Sequence, residues 1–473
     1  MHSGAVSLAI ALAIVGADAT KAAMADPVIG IPDPAGSEVP ALTLDECVAS
    51  ALTGNTELEQ ERLRRREVAG QKWQAVSSAL PSVDVSGIMS SSRDPSFLLG
   101  ETFSAFEADT AAAAAGAFPT PSTLTSETLY RAQVGGDWEL NPFRILNAMG
   151  GVTVREDQLR YDLDAATHRI VERTMAAYYE VAASRDQLDA VETELAARAE
   201  FLDIARRRFS LGLATELDTL QAAVSHANLV PERRRAAKDL HNAASRLNIL
   251  MGRDASTPIA VDPAMQLELE PIDGAALLQR VEGRPDLRST EKQIEFLHKQ
   301  RGVEAAAQRP SLQLGGAYGY VARDLETLGD YDYWNATLTL VLPVFDGFFT
   351  HGRVREVEGT IARTEQALTE QTRQARLEAS TALEELLTAR EILAAADLNV
   401  AAADRALDQI TARFDVGKAE YLRLLNAQSD RMNARSQAIR ARYDVLVQTA
   451  ALKRSLGLDP RTRLSGLTEE DSE

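Results

Sequence analysis

Two patterns of apolar and polar residues run along this chain, and each occurs twice. The first has a period of two. In Tyr130–Leu140 the even positions hold Tyr130, Ala132, Val134, Gly136, Trp138 and Leu140, and the odd positions hold Arg131, Gln133, Gly135, Asp137 and Glu139. Side chains alternate across a strand, so the two sets face opposite sides of a sheet. Trp334–Leu342 repeats the scheme, with Trp334, Ala336, Leu338, Leu340 and Leu342 set against Asn335, Thr337 and Thr339. Val83–Met89 and Leu312–Tyr320 show the same phase more weakly. These segments predict two β-hairpins, over 82–140 and 311–342. Each strand is about 9–11 residues long, enough to cross an outer membrane at a tilt.

The second pattern has a period of seven. Leu386, Leu393, Val400 and Leu407 recur at that spacing, flanked by Ala375, Ala382, Ala389, Ala396, Ala403 and Ile410. Val181, Leu188, Leu195 and Leu202 repeat it earlier in the chain. A strict seven-residue repeat imposes a left-handed supercoil. Neither Gly nor Pro falls between Thr153 and Phe209 or between Thr360 and Val416. A helix of about 57 residues is a rod on the order of 85 Å, which suggests a coiled coil. Each rod meets a glycine, Gly212 or Gly417, and then resumes, which predicts αα-hairpin tips near 209–216 and 414–420. Pro231 interrupts one return helix and predicts a kink.

Self-comparison explains the doubling. Leu80–Gly87 matches Arg309–Gly316 at an offset of 229, which also aligns Leu58 with Leu287. Arg208–Thr215 matches Arg413–Glu420 at an offset of 205, which also pairs Leu247 with Leu452 and Gly252 with Gly457. The chain is two copies of one unit, 26–254 and 275–457, joined by a segment 255–274. The first copy carries a net 24 extra residues, expected in the Ala-, Gly- and Pro-containing loop Ser91–Glu127. Four strands leave no second sheet to cover their apolar faces. Lipid would supply that cover, but four strands cannot close a barrel and open edges are not tolerated in hydrocarbon, so oligomerisation is required.

Composition narrows the class. The 473 residues carry a net charge of −19, which disfavours a nucleic-acid partner. The apolar run Ala5–Ala17, followed by small–x–small sites at Ala17–Ala19 and Ala23–Ala25, reads as a signal peptide over 1–25. A single cysteine, Cys47, excludes an internal disulfide and is expected to pack as a small apolar residue. The six histidines are scattered, without H-E-x-x-H or a Cys/His cluster, so no metal, cofactor or catalytic site is expected. The remaining 458–473 form an acidic tail.

With these residues in place, the chain resembles the TolC-like outer-membrane efflux protein family from about Leu42 to Gly457. The similarity rests on Leu42–Leu52 with Asn55, Leu80-Pro-Ser, Tyr178-Tyr179, Phe209-x-x-Gly212 with Asp218 and Gln221-Ala222, and Leu247 to Gly252. Copy two adds Arg284-Pro-Asp-Leu287, Leu342-Pro-Val-Phe345 with Gly347, and Phe414-x-x-Gly417 with Leu425 and Ala427-Gln428. The resemblance implies an α+β membrane protein: a homotrimer whose 12-stranded β-barrel, four strands per chain, continues as a helical coiled-coil barrel through the periplasm. It also implies partners, namely a periplasmic membrane-fusion adaptor and an inner-membrane translocase of RND or ABC type. Small-molecule efflux is the favoured role. A type I protein secretion duct is the alternative, and a non-pore periplasmic coiled-coil adaptor a more distant one.

The same resemblance places a gate at the hairpin tips, formed by Phe209, Gly212, Asp218, Phe414, Gly417, Lys418, Glu420, Arg423 and Asn426, and a belt of membrane-facing aromatics at Tyr130, Trp138, Tyr318, Tyr320 and Trp334. Similar proteins ring this entrance with carboxylates. Here Arg423 stands six after Gly417, where the family's entrance often has an acid, Asn426 lies nine after, and Ala419 and Phe414 replace possible latch residues. Asp218, six after Gly212, keeps the acid of the first copy and is expected to pair with Arg423 across the tip.

Overall fold

A computed structural model describes residues 41–92, 127–262, 272, 274–322 and 324–463. All belong to one compact unit, 41–473. The expected signal peptide 1–25, nearly all of the Ser91–Glu127 loop and the acidic residues Glu469–Glu473 lie outside the described residues.

The chain opens with a short strand β1 (Ala41–Leu42) and helices α1 (Leu44–Gly54) and α2 (Thr56–Ser77). Thr43 starts α1 through a capping box with Glu46, and Asn55 starts α2 by accepting from the amides of Glu57 and Leu58. The hairpin β2 (Ser82–Ser92) and β3 (Glu127–Leu140) follows, then the long helix α3 (Pro142–Ser210) and its return α4 (Glu216–Leu250). A two-residue strand β4 (Ala260–Val261) pairs in parallel with β1. Copy two repeats the order with α5 (Gly274–Leu278), α6 (Pro285–Ala305), β5 (Ser311–Ala322), β6 (Asp332–Val341), α7 (Phe349–Asp415) and α8 (Tyr421–Ser455).

α3 has 69 residues and α7 has 67, so each reaches on the order of 100 Å. Both start well before the Gly- and Pro-free stretches that predict them. α3 runs through Gly150 and Gly151 because α6 packs there, with Lys299 and Phe296 against Gly151; tertiary packing overrides the local glycine penalty. α4 likewise continues through Pro231.

Four long helices make one layer in the order α4, α3, α8, α7 towards the hairpin tips. Towards the sheet, α2 and α6 replace α4 and α8 beside α3 and α7. Each replacement is a joint between two helix ends, and the two joints are repeat equivalents. In copy one Asn55 Nδ2 donates to the Leu250 carbonyl at 2.9 Å. In copy two Arg284 Nη1 donates to the Ser455 carbonyl at 3.0 Å. Gly252 (φ +72) and Gly457 (φ +78) end α4 and α8 in the left-handed conformation, and a Cβ on either would overlap the backbone of Gly54 or Arg284. Arg284 is also bidentate to Asp286 (3.0 and 2.9 Å) and pairs with Glu378, which Arg454 shares.

The main core fills the first joint, where Cys47, Val48, Leu58, Ile170, Tyr178 and Leu247 are buried together. Cys47 packs there as a small apolar residue, its thiol pKa pushed up to about 11 by burial. A second core joins α5 and the start of α6 to α7 and α8 through Val281, Leu287, Ala379, Leu386, Leu452 and Leu456. The alanine heptad does what its spacing predicts, since Ala375, Ala382, Ala389 and Ala396 are all buried in this seam. No helix among the described residues is long and apolar enough to cross a membrane.

Candidate functional site

The sheet has the order β2-β3-β5-β6, all antiparallel. Its register aligns every alternating set. Val85 pairs with Val134, Val134 with Tyr318, and Tyr318 with Trp334; one level lower Trp138 pairs with Leu314 and Leu314 with Leu338. One face therefore carries valine, leucine and all five predicted aromatics, Tyr130, Trp138, Tyr318, Tyr320 and Trp334. It is open along β2 and β6, with Trp334 75% and Leu338 67% exposed. The opposite face carries Asp84, Arg131, Gln133, Asp137, Gln313, Asn335, Thr337 and Thr339. On that polar face the Tyr333 hydroxyl donates to Gln133, and the Arg131 guanidinium lies over the Tyr333 ring at 5.4 Å. β6 has ten residues, which rise about 33 Å along the strand and about 25 Å along a barrel axis at a tilt near 40°. That height matches the apolar band of an outer-membrane barrel.

At the far end of the helices both tips use the same turn. Gly212 and Gly417 each have φ +72. The amides of Leu213 and Lys418 reach back to the carbonyls of Arg208 and Arg413, both at 2.8 Å, as Schellman caps. The helices then restart differently. Thr215 and Asp218 form a capping box, the Asp218 carboxylate accepting from Thr215 N (2.9 Å) and Oγ1 (2.8 Å). Glu420 precedes α8 without any side-chain cap.

The two tips are packed together. Leu202, Ala205, Ala222, Leu407, Tyr421 and Leu424 form a buried core between them. Phe414 leans on Tyr421 (ring centroids 5.8 Å apart), and Arg208 covers the Phe414 ring at 5.1 Å. Burial raises the Tyr421 pKa above its ordinary value. An open groove of about 320 Å³ separates the tips, lined by Arg208, Leu213, Asp218, Phe414, Glu420 and Tyr421 among others. Phe209, the repeat partner of Phe414, points away and is exposed. Lys418, Arg423 and Asn426 are exposed as well. The expected Asp218–Arg423 ion pair is not formed within the chain, and Thr215 engages one oxygen, Oδ2, of the Asp218 carboxylate.

Sequence reasoning missed a buried ionic cluster several turns above the tip. Glu194 Oε1 accepts from Arg198 Nε at 3.1 Å and Oε2 from Arg431 Nη2 at 2.7 Å. Arg198 also donates to Ser225 Oγ (2.9 Å) and Ser429 Oγ (3.3 Å). The carboxylate thus ties α3 to α8, and the Arg198 guanidinium ties both to Ser225 of α4. The only sequence signal is an i,i+4 Glu/Arg pair beside the Leu195 and Leu202 seam, which reads equally well as a solvated face.

Among the described residues, an amphipathic four-stranded sheet with unpaired edges at β2 and β6 continues into a layer of helices about 100 Å long. The outer membrane efflux protein model matches residues 47–253 and 277–458, so the chain belongs to that family. Among its relatives are "Outer membrane efflux protein BepC" of Brucella suis, 26% identical over 315 residues, which are 65% of this chain and 66% of that protein. "Pyoverdine export outer membrane protein OpmQ" of Pseudomonas aeruginosa is 25% identical over 324 residues, 66% of each chain. The matched region thus spans about two thirds of the length of these relatives. The fold is shared with the outer membrane channel CmeC of Campylobacter jejuni (TM-score 0.74, 19% identity, 91% of this chain and 89% of that one).

Proposed function

We propose that the chain is the exit duct of a tripartite export system in the outer membrane of a Gram-negative bacterium, assembled from three copies. The register of the sheet carries this reading: one face of all four strands is apolar and the other polar, with β2 and β6 left as open edges. Unpaired backbone is too costly in hydrocarbon, so β2 of one copy pairs with β6 of the next. Two copies would give eight strands, an interior that side chains fill; three give twelve and leave a bore.

The helical layer closes in step with the sheet, α4 of one copy meeting α7 of the next. Leu217, Leu220 and Val224 of α4 and Leu398 of α7, exposed in the single chain, would be covered there. The polar sheet face, with Asp84, Arg131 and Asn335, becomes the barrel lining. The tip, with Phe209, Gly212, Asp218, Phe414, Gly417, Lys418, Glu420, Arg423 and Asn426, becomes the periplasmic gate, where a membrane-fusion adaptor and an inner-membrane translocase would dock. Small-molecule efflux is favoured because a relative, OpmQ, is named for exporting pyoverdine.

Two measurements test this. Purified full-length protein should open conductance steps in a planar lipid bilayer, and the absence of any conductance at high protein load would refute the duct. A photo-crosslinking residue at exposed Lys418 should capture an adaptor in intact cells; capture of an ABC-type translocase instead of a proton-driven pump would move the cargo towards secreted protein.

A further inference from the structure

Seven exposed polar residues of α8, from the tip to mid-helix, form a stripe. Arg423, Asp430, Gln437 and Asp444 follow one another at seven-residue steps, and Asn426, Asn433 and Arg440 form the adjacent row at the same step. All seven are exposed, while Ala427, Ala434 and Ala441 beside them are buried. A seven-residue repeat stays on one face of a left-handed supercoil, so the stripe keeps a constant direction along the helix.

That direction is fixed by what lies on either side of the layer. At mid-helix, Gln437, Arg440 and Asp444 share a groove of about 620 Å³ with Ala176, Glu180 and Ala183 of α3. Those α3 residues lie half a turn away from Tyr178, whose hydroxyl donates to the Leu42 carbonyl at 3.2 Å and which packs on Cys47 and Val48 of α1. The stripe is therefore on the side of the layer opposite to α1, β1 and β4. If the layer closes into a tube, these short elements would plug the bore were they inside; they belong outside, and the stripe faces the lumen.

The outermost charge of that lumenal stripe is Arg423. Within the chain its guanidinium has no ion pair or side-chain hydrogen bond among the described residues, whereas Asp218, the acid at the matching register of copy one, is engaged by Thr215. The whole tip leans the same way. Residues 206–218 and 413–423 together hold six basic residues against four acidic ones, in a chain whose net charge is −19. Asp430 is the next charge inward, two turns further from the mouth.

We propose that Arg423 sets the ion preference of this duct: three copies place a ring of guanidinium groups at the mouth of the bore, which admits anionic small molecules and disfavours cations. A fixed charge in a constriction of low-dielectric walls raises the local concentration of the opposite ion, so it governs permeation even when acids line the wider bore above. The inference rests on the duct reading and on the tip being its narrowest point.

The test is the reversal potential of purified full-length channels in a planar bilayer under a KCl gradient. The wild-type protein should show a chloride-to-potassium permeability ratio above unity. Arg423→Asp should lower that ratio by roughly threefold or more and bring it below unity, with Arg423→Gln between the two. Asp430→Asn, one step inward, should change it less than Arg423→Gln does. Arg423 is exposed on a helix surface, so these variants should fold and insert as the wild type does. Conducting channels whose reversal potential is the same in all variants would overturn the role of Arg423. A cation-preferring wild type would overturn the proposal as well. Absence of conductance in every variant and in the wild type would refute the duct itself.

Discussion

Replacing Glu194 by alanine removes the carboxylate that Arg198 and Arg431 share between α3 and α8. The contacts are 3.1 Å to Arg198 Nε and 2.7 Å to Arg431 Nη2, and the Glu194, Arg198 and Arg431 side chains are 4%, 10% and 21% exposed. Breaking such a pair leaves two guanidinium groups facing each other with little water. Removing one partner of a buried pair costs about 3–5 kcal/mol, and the partial exposure of Arg431 puts this case near the lower end. The loss is local to the distal third of the helices, so it should appear as easier local opening rather than as global unfolding. At about 3 kcal/mol, amide exchange in peptides covering 190–205 and 425–435 should accelerate by roughly 150-fold. Hydrogen exchange with mass spectrometry on the intact protein in detergent reads this directly, with the β-hairpins as internal reference. Adding Arg198→Met to Glu194→Ala should recover part of the protection, because it removes one stranded charge. Protection within about twofold of wild type at the tip, or acceleration spread evenly into the sheet, would refute the assignment of this cluster as the clamp between the two hairpins.

Other consequences are as specific. Leu338→Lys, on the apolar sheet face, should cost about 2–4 kcal/mol of barrel stability, while the neighbouring Thr339→Lys on the polar face should cost almost nothing; heat-modified gel mobility after membrane extraction separates them. Gly417→Ala places a Cβ at φ +72 in otherwise open space, so a purely conformational loss of about 1 kcal/mol is expected, read as faster exchange at the second tip. Asn55→Ala removes the cap of α2 and the bond to Leu250, and should lower stability by about 1–2 kcal/mol in denaturant titration. Burial opposes ionisation of Glu378, but hydrogen bonds from Arg284 and Arg454 prevail and hold its pKa below the ordinary 4.5. A lowered folded pKa contributes stability that is complete above the unfolded value and is lost as pH falls through the folded one. Acid unfolding should therefore begin below about pH 4.5, and Glu378→Gln should flatten that limb without altering its neutral-pH slope.

Much of this architecture is legible from periodicity alone. Strict alternation in Tyr130–Leu140 and Trp334–Leu342 places Trp138 and Trp334 on the same face before any register is known, because a strand has only two faces. Repeat offsets locate both tips, since Gly212 and Gly417 mark identical left-handed caps. Periodicity fails where packing decides. α2 and α6 are repeat equivalents, yet their mean pattern is too polar to read as core-facing helices until α3 and α7 are beside them. The joints escape for another reason. Asn55 and Arg284 do the same job with different chemistry, one amide against one guanidinium in an ion network, so residue identity hides their equivalence. At the tip, Asp218 and Arg423 stand at equivalent registers of the two copies, and a capping box with Thr215 holds one oxygen of the Asp218 carboxylate, which the repeat offset does not reveal. Arg208 and Tyr421, which seal the tip around Phe414, leave no periodic trace at all.

In the proposed duct three copies of this chain close one tube, with β2 against β6 and α4 against the neighbouring α7. Native mass spectrometry of the full-length protein, released from membranes into detergent, tests it most directly. A single dominant species of three chains is expected, surviving mild activation and losing this stoichiometry in Leu338→Lys. A stable monomer, or a dimer of eight strands, would contradict it.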